Sequence, residues 1–519
     1  MDTDRRGFLR LTAGGAALLL ARSREASCAE RESALGIHRE TRNTSSGAIG
    51  ARLRASFRPL PPFKPYPGLS RVSLPVPSWE AGRPLFSVAR VYAPARAFAR
   101  EGCSREELSR ILLLANGVTQ RGPGVALRAA PSAGALYAGE VYAVVERVTG
   151  LAPGVYSYEV ASHALVQLRA GPFLAEVARA IEGPPDTAGA AAAVLLTNVF
   201  ARYGARYANR GYRYALIDSG HIGENLRFAA SEIGLGEAAP PRFEDDRLNT
   251  LLGVDGREEA VCAVHLVGRP AGGAAGDALR ARALVERQTV DATEPWSGLP
   301  APERYHEATK LVPAAGGGEA QPPAAHRADP QPAVDAETTA PEMAVHAAIR
   351  VRRSARRFES APMRRADLLA ILALARGNPA LRRSGGLDLY AVAHRVADTP
   401  AGFYRYDPAS RRLEPRRRGD LADPLIRACL GQQKSGQAAA ALISVARLAE
   451  ASAQCGARSY RDLLLDAGAT AQRVYLGAEA LGLAARNLAA FYDDDLDALL
   501  GLDGRSEVAV HLTAVGAGD

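Results

Sequence analysis

At 519 residues, with 47% hydrophobic and 23% charged residues, the chain has room for two or three domains and a large core without metal or disulfide staples, and bulk disorder is excluded. The net charge of +8 comes from arginines scattered along the chain rather than clustered, so a nucleic-acid interface is not expected. Five cysteines (Cys28, Cys103, Cys262, Cys429 and Cys455) form no CxxC pair and no ligand spacing with the nine histidines, and neither a structural metal nor thioredoxin-like chemistry is expected.

The first readable segment is Asp4-Arg5-Arg6-Gly7-Phe8-Leu9-Arg10, which matches the twin-arginine export pattern. A modestly apolar stretch from Leu11 to Ala21 follows, too short to span a bilayer, and Ser27-Cys28-Ala29 offers a small-residue cleavage site. Residues 1–29 therefore read as a signal peptide that sends a folded protein to the periplasm and leaves no stable membrane anchor after cleavage. The alternatives are the start of a cytosolic amphipathic helix and a lipoprotein signal cleaved before Cys28. Glu25 sits where a lipoprotein signal wants Leu, which weighs against the second.

Downstream, Leu108 to Asn116 has helical periodicity, and Glu140 to Val148 alternates as a strand does. Gly154 to Leu165 reads as a hairpin and Ala190 to Val199 as a buried strand. Tyr212 to Ile233 reads as a long helix, and Val261 to Val267 as a closing strand. The pattern then repeats. Leu251-Leu-Gly-Val-Asp-Gly-Arg-Glu-Glu259 recurs as Leu499-Leu-Gly-Leu-Asp-Gly-Arg-Ser-Glu507, an offset of 248 residues. The same offset aligns Arg210, Tyr212, Arg213, Asp218 and Gly220 with Arg458, Tyr460, Arg461, Asp466 and Gly468. Further upstream, Phe98 and Leu108-to-Gly117 match Phe358 and Leu368-to-Gly377 at an offset of 260. Units this long are duplicated domains rather than solenoid repeats. Pro, Ala and Gly dominate Ala314 to Ala340, which reads as a linker. The expected organisation is a signal at 1–29, an N-terminal arm at 30–84, one domain at 85–270, a connecting arm and linker at 271–340, and a second domain at 341–519. Each domain is expected to be α+β, with a mostly antiparallel sheet and helices packed on it.

Pro131-Ser132-Ala133-Gly134-Ala135-Leu136-Tyr137 is the sharpest motif. Together with Arg210-Gly-Tyr-Arg-Tyr214, Asp218-Ser-Gly-His221, Gly234-Leu-Gly236 and Phe63-Lys-Pro-Tyr-Pro67, it resembles the SagB/ThcOx-type dehydrogenases of the nitroreductase superfamily, once per unit. That resemblance implies FMN bound at a dimer interface, each site drawing on both subunits, so that two tandem copies would form an intrachain pseudo-dimer. It places the flavin phosphate on Arg352, Arg353, Ser354 and Arg356, and the ring edge on Pro131, Ser132, Ala133 and Gly134. The backbone near Ala489 and Ala490 would face the reactive flavin nitrogen. Arginine forks suit a phosphate, and a small-residue loop lets backbone approach a flat ring.

The two copies have diverged in complementary ways. Arg352-Arg353-Ser354 in the second corresponds to Tyr92-Ala93-Pro94 in the first, whereas Pro131-Ser-Ala-Gly134 in the first corresponds to Pro379-Ala-Leu-Arg382 in the second. One intact composite site and one lost site are expected, hence one FMN per chain and no metal. Where azoline-oxidising members carry a Lys-Tyr pair, this chain has Arg206-Tyr207. Tyr207 is the candidate acid; Arg206 belongs to the candidate catalytic pair but cannot act as a base, because a guanidinium does not deprotonate in proteins. Asp218 and His221, one helical turn apart, read as buried packing groups rather than parts of a Ser-His-Asp site. The expected activity is two-electron oxidation of a small-molecule or peptide substrate. The competing expectation is a flavin-free scaffold or binding protein.

Overall fold

The computed structural model describes residues 33–43, 60–79, 82–122, 125–183, 186–271, 284–286, 301–313, 342–378 and 382–519. The expected signal peptide and the linker from 314 to 340 lie outside the described residues. The helices that position the site are α1 (Ala34–Glu40), α2 (Leu85–Val91), α3 (Arg105–Asn116), α4 (Ala201–Tyr207), α5 (Gly211–Glu232), α6 (Asp245–Leu252), α7 (Ala301–Ala308), α8 (Val345–Val351), α9 (Arg365–Arg376), α10 (Arg458–Ala480) and α11 (Asp493–Leu500). The first unit's sheet uses β1 (Arg71–Ser73), β2 (Gly139–Val145), β3 (Gly154–Glu159), β4 (Ala164–Ala170), β5 (Ala192–Val199), β6 (Gly236–Ala238) and β7 (Glu259–Gly268), in the order β1-β4-β3-β2-β5-β7-β6. The second uses β8 (Leu387–Ala393), β9 (Gly402–Asp407), β10 (Arg412–Arg418), β11 (Ala440–Arg447), β12 (Ala484–Asn487) and β13 (Glu507–Gly516), in the order β10-β9-β8-β11-β13-β12. Every pairing in these two sheets is antiparallel, as the α+β reading expects.

Local chemistry accounts for the elements. Ser104 and Glu107 close a reciprocal capping box at the start of α3, satisfying two helix donors that would otherwise be orphaned. On β2, Val141, Ala143 and Val145 face the core under α3 and α5, while Tyr142 and Val144 enter a second cluster on the other side. The same alternation recurs on β8, with Leu389 and Ala391 opposed to Tyr390 and Val392. Both sheets are therefore covered on two faces, which is why their strands are rich in small and branched apolar residues.

A third core belongs to neither unit. Tyr212, Ala215 and Leu216 of α5 pack with Tyr460, Leu463, Leu464 and Ala467 of α10. All of α5 is buried, so its polar residues must find partners inside. The two helices come closest at Gly220 and Gly468. A Cβ on Gly220 would overlap the Leu465 carbonyl oxygen, and one on Gly468 the Ile217 carbonyl oxygen.

Ion pairs repeat around this contact in mirror fashion. Arg210 and Arg213 each reach Asp493 of the second unit at 2.6 Å, and Arg213 also donates to Thr41, which follows α1, at 2.8 Å. Arg458 and Arg461 reach Asp245 of the first unit at 2.8 and 2.6 Å, and Arg461 donates to Thr309, which follows α7. Burial opposes ionisation of Asp493, yet Arg210 and Arg213 hold its carboxyl well below the usual range.

Gly468→Ala is expected to destabilise the chain by about 1–3 kcal/mol, because helix backbones cannot yield to a new methyl as a flexible side chain does. Chemical denaturation followed by far-UV circular dichroism measures it, and an unchanged midpoint would mean that the helices separate without penalty.

Candidate functional site

The site begins where the ribbon of Val118–Gly122 and Val125–Arg128 feeds the loop carrying Pro131 to Gly134. Gly134 has a φ of 62°, and Ala135 and Tyr137 hold left-handed backbones at 55° and 50°. Strained non-glycine backbone persists only where the surroundings over-determine it. Here the Ser132 hydroxyl fixes the turn by accepting the Tyr137 N–H at 2.8 Å, and it lies 2.6 Å from the Tyr203 hydroxyl. Tyr203 donates to Asp218, which also accepts the Ala133 N–H at 3.3 Å. Burial pushes the Asp218 carboxyl up to about 7, against the opposing effect of those hydrogen bonds.

Helix α4 presents Tyr203, Arg206 and Tyr207 to this loop at the spacing of one face. A Cβ on Gly134 would overlap the Tyr207 hydroxyl and approach the Arg206 guanidinium. Burial raises Tyr207 to about 12, with Arg206 opposing, so its phenol keeps a proton at neutral pH.

The second unit supplies the other wall. Arg352, at the end of α8, is 4% exposed. Its Nε donates to the Ala129 carbonyl at 3.3 Å, its guanidinium lies 5.0 Å from the Tyr475 ring centroid, and its Nη1 is buried with no partner. Arg353 donates to Gln120 of the ribbon at 2.6 Å. The Ser354 hydroxyl lies 2.8 Å from that of Tyr475. Asn487 donates its backbone N–H to Tyr475 at 2.9 Å, and its side-chain amide to Nε2 of His221 at 2.7 Å. His221 donates Nδ1–H to the Ile217 carbonyl and stays neutral, burial pushing it down to about 3. The carbonyls of Ala489 and Ala490 accept from Arg210 and Gln432 at 2.8 and 2.7 Å, so both units anchor that loop.

The structure thus brings Arg352 and Arg353 of one unit to the ribbon and turn that lead into Pro131, Ser132, Ala133 and Gly134 of the other, with Ser354 held on Tyr475 of its own unit and with Arg206 and Tyr207 against Gly134. Arg356 is placed differently: it is exposed, and its backbone N–H donates to the C-terminal Asp519. Sequence reasoning missed Arg128, Tyr203, Tyr475 and Asn487 altogether, and gave Asp218 only a packing role. Three of these differ in chemistry between the copies: the counterparts of Tyr203, Tyr475 and Asn487 are Ala451, Arg227 and Ala239. Their divergence was the available signal.

The two halves carry different sets of buried charge. Arg128, Arg352 and Arg353 make no ion pair with any described carboxylate, and burial pushes all three below the ordinary guanidinium value. In the mirror half a cluster of paired ions fills much of the space, beside Arg382 and Arg383, which are desolvated there without an ion pair among the described residues, Arg383 with its buried Nη1 unpartnered. Arg227 bonds Glu237 at 3.2 Å and Glu224 at 2.8 Å, Arg473 bonds Glu224 at 2.7 Å, and His265 bonds Glu237 at 2.5 Å. Tyr92, at the position of Arg352, donates to Glu237. The residual cavity, lined by Gly220, Gly223, His265, Arg383 and Asp466 among others, is about 10 Å³, no more than a water's room.

The Nitroreductase family model matches residues 95–269 and again 349–517. The chain belongs to the nitroreductase family. MJ1384 of Methanocaldococcus jannaschii, a protein assigned to the nitroreductases, is 33% identical over 162 residues, which is 30% of this chain and 80% of that protein. A crystal structure of a protein from Anabaena variabilis, also assigned to the nitroreductases, covers 94% of this nitroreductase-family chain and 99% of its own at a TM-score of 0.73 and 24% identity. The tandem fold is therefore shared with that solved protein. A chain of the E. coli microcin synthetase McbBCD complex matches at a TM-score of 0.32 and 23% identity, over 44% of this chain and 84% of its own.

Burial opposes ionisation of Glu237, but Arg227, His265 and Tyr92 hold its carboxyl down at about 2. A depressed carboxylate stabilises the fold above the ordinary value of 4.5 and loses that contribution as the pH falls towards 2. Glu237→Gln is expected to cost about 3–5 kcal/mol, by leaving Arg227 buried with one partner fewer, and to weaken the acid dependence of stability in that window. Denaturant titrations at neutral and acid pH measure both effects.

Proposed function

We propose that this nitroreductase-family oxidoreductase is an exported FMN enzyme of the SagB/ThcOx type, with one composite flavin site per chain, that catalyses two-electron oxidation of an organic substrate. The observation that carries the reading is the buried Arg352 guanidinium with its unpartnered Nη1, beside Arg353 and Arg128 and with no described carboxylate at ion-pair distance, Glu479 acting on it only from farther off. Buried guanidinium groups left without a counter-charge suit a phosphate, whose oxygens accept the forked N–H donors. The residues present fit the group: Arg352 and Arg353 would hold the phosphate, and the backbone from Ser132 to Gly134 the ring edge. The loop at Ala489 and Ala490 would lie against the reactive nitrogen.

A bound FMN supplies reversible two-electron chemistry. The chain's own residues bind, orient and manage protons. Tyr207 keeps its hydroxyl hydrogen at neutral pH and is the candidate proton donor. A guanidinium does not serve as a base, so the part of Arg206 is to attract or orient a substrate rather than to take up a proton. The mirror half, closed by its ion cluster, supports a single site. The N-terminal Arg5-Arg6 motif supports export of the folded holoprotein to the periplasm, where NAD(P)H is not an expected donor; this favours oxidation of substrate over nitro-group reduction. The substrate is a small molecule or peptide.

The purified mature protein is expected to release about one FMN per chain, with the double variant Arg352→Ala/Arg353→Ala releasing none. Two FMN per chain would overturn the single-site reading, and none after reconstitution would leave the scaffold protein. Replacing Arg5 and Arg6 with Lys is expected to keep the protein in the cytoplasm with residues 1–29 uncleaved; fractionation with N-terminal sequencing checks it.

A further inference from the structure

The chain Ser132–Tyr203–Asp218 does more than hold a turn. Its counterpart shows what holding alone requires. In the second unit Asp466 stands at the position of Asp218 and accepts the backbone N–H groups of Arg383 and Ser384 and the Ser384 hydroxyl, at 2.9–3.1 Å. No tyrosine takes part, and Ala451 occupies the position of Tyr203. Among the described residues, the tyrosine link exists only in the half that carries Arg352 and Arg353.

We propose that Asp218 and Tyr203 form a proton-holding relay that decides whether the Ser132 hydroxyl offers the bound cofactor edge a hydrogen or a lone pair; this rests on the FMN reading above. The hydrogen count allows two states. One lone pair of Ser132 is always used by the Tyr137 N–H. With Asp218 ionised, Tyr203 donates to the carboxylate and Ser132 donates to Tyr203, so Ser132 presents only its remaining lone pair. With Asp218 protonated, the carboxyl donates to Tyr203, Tyr203 donates to Ser132, and the Ser132 hydrogen is released towards the site. No covalent step is involved; one proton enters at Asp218 and two hydroxyls reverse.

The surroundings favour such a switch. Asp218 is faced by Tyr203 and Tyr207 from α4 and by Ser132, Ala133 and Tyr137 from the loop. None of these is a cation, and none of the groups acting on its carboxyl is an arginine or lysine. Across the helix contact, the only charge among residues 465–469 of α10 is Asp466, which is turned to its own donors. Burial without a counter-charge therefore brings the carboxyl into the neutral range.

The test uses the full chain with and without FMN. Without FMN, infrared difference spectra are expected to show a protonated-carboxyl band titrating at about pH 7. Burial also raises Asp497 to about 7 and Asp462 to about 6, so it is the part of the band contributed by Asp218 that should be absent in Asp218→Asn, and that part should shift to higher pH in Tyr203→Phe, which removes a bond favouring the ionised form. With FMN bound, the flavin absorption is expected to shift with the same midpoint in the parent protein and to lose that shift in Asp218→Asn and Tyr203→Phe. Ser132→Ala keeps the carboxyl band but uncouples the flavin from it, which separates relay loss from misfolding. A band left unchanged by Asp218→Asn, or a flavin shift identical in all variants, overturns the relay. Failure of every protein to take up FMN overturns the flavin reading instead, and with it the role assigned to Ser132.

Discussion

Two helix backbones touch at Gly220 and Gly468, and the rest of the molecule is arranged around that contact. Because nothing separates the helices there, the residues just before it on each helix reach across to the opposite unit. Arg210 and Arg213 find Asp493, and Arg458 and Arg461 find Asp245. The same approach lets Asn487 meet His221, and sets Arg352 against the backbone of the Arg128–Ala129 turn. A wider crossing would part the two walls of the candidate site. The paired ions gain little on their own in a dry interior, where desolvation opposes attraction, but an unmatched member would be costly, so they enforce one relative placement of the units.

The long helices, the alternating strands and the duplication were legible in the sequence because each rests on period or identity, which one chain displays openly. Val141, Ala143 and Val145 opposed to Tyr142 and Val144 is a pattern that needs no partner to be read. The motif arginines and the Pro-Ser loop were also legible, through family likeness. What the chain concealed were contacts made by residues distant in sequence. Nothing near Tyr475 announces that it lies under Arg352, and nothing near Tyr203 announces Asp218. Arg356 is a different case: motif spacing groups it with Arg352, but α8 ends at Val351, and beyond it Arg356 is exposed with its backbone N–H bonded to Asp519.

Each copy also solves the problem of its sheet edge differently. In the first unit β1 from the N-terminal arm pairs with β4 and covers it. In the second, β10 is the edge strand and carries Arg412, Arg416, Arg417 and Arg418 on an exposed run. Charge on an edge strand discourages pairing with another chain. Pairing and charge are thus alternative protections for equivalent strands, and divergence of the copies extends beyond the site.

The covalent joining of the two units carries an evolutionary consequence. In a homodimer every substitution is made twice, so a phenol cannot occupy one position while its symmetry mate keeps a guanidinium. Here Tyr92 and Arg352 are separate codons. Fusion released each half from the genetic constraint of serving both, and equivalent positions such as these two now carry different side chains.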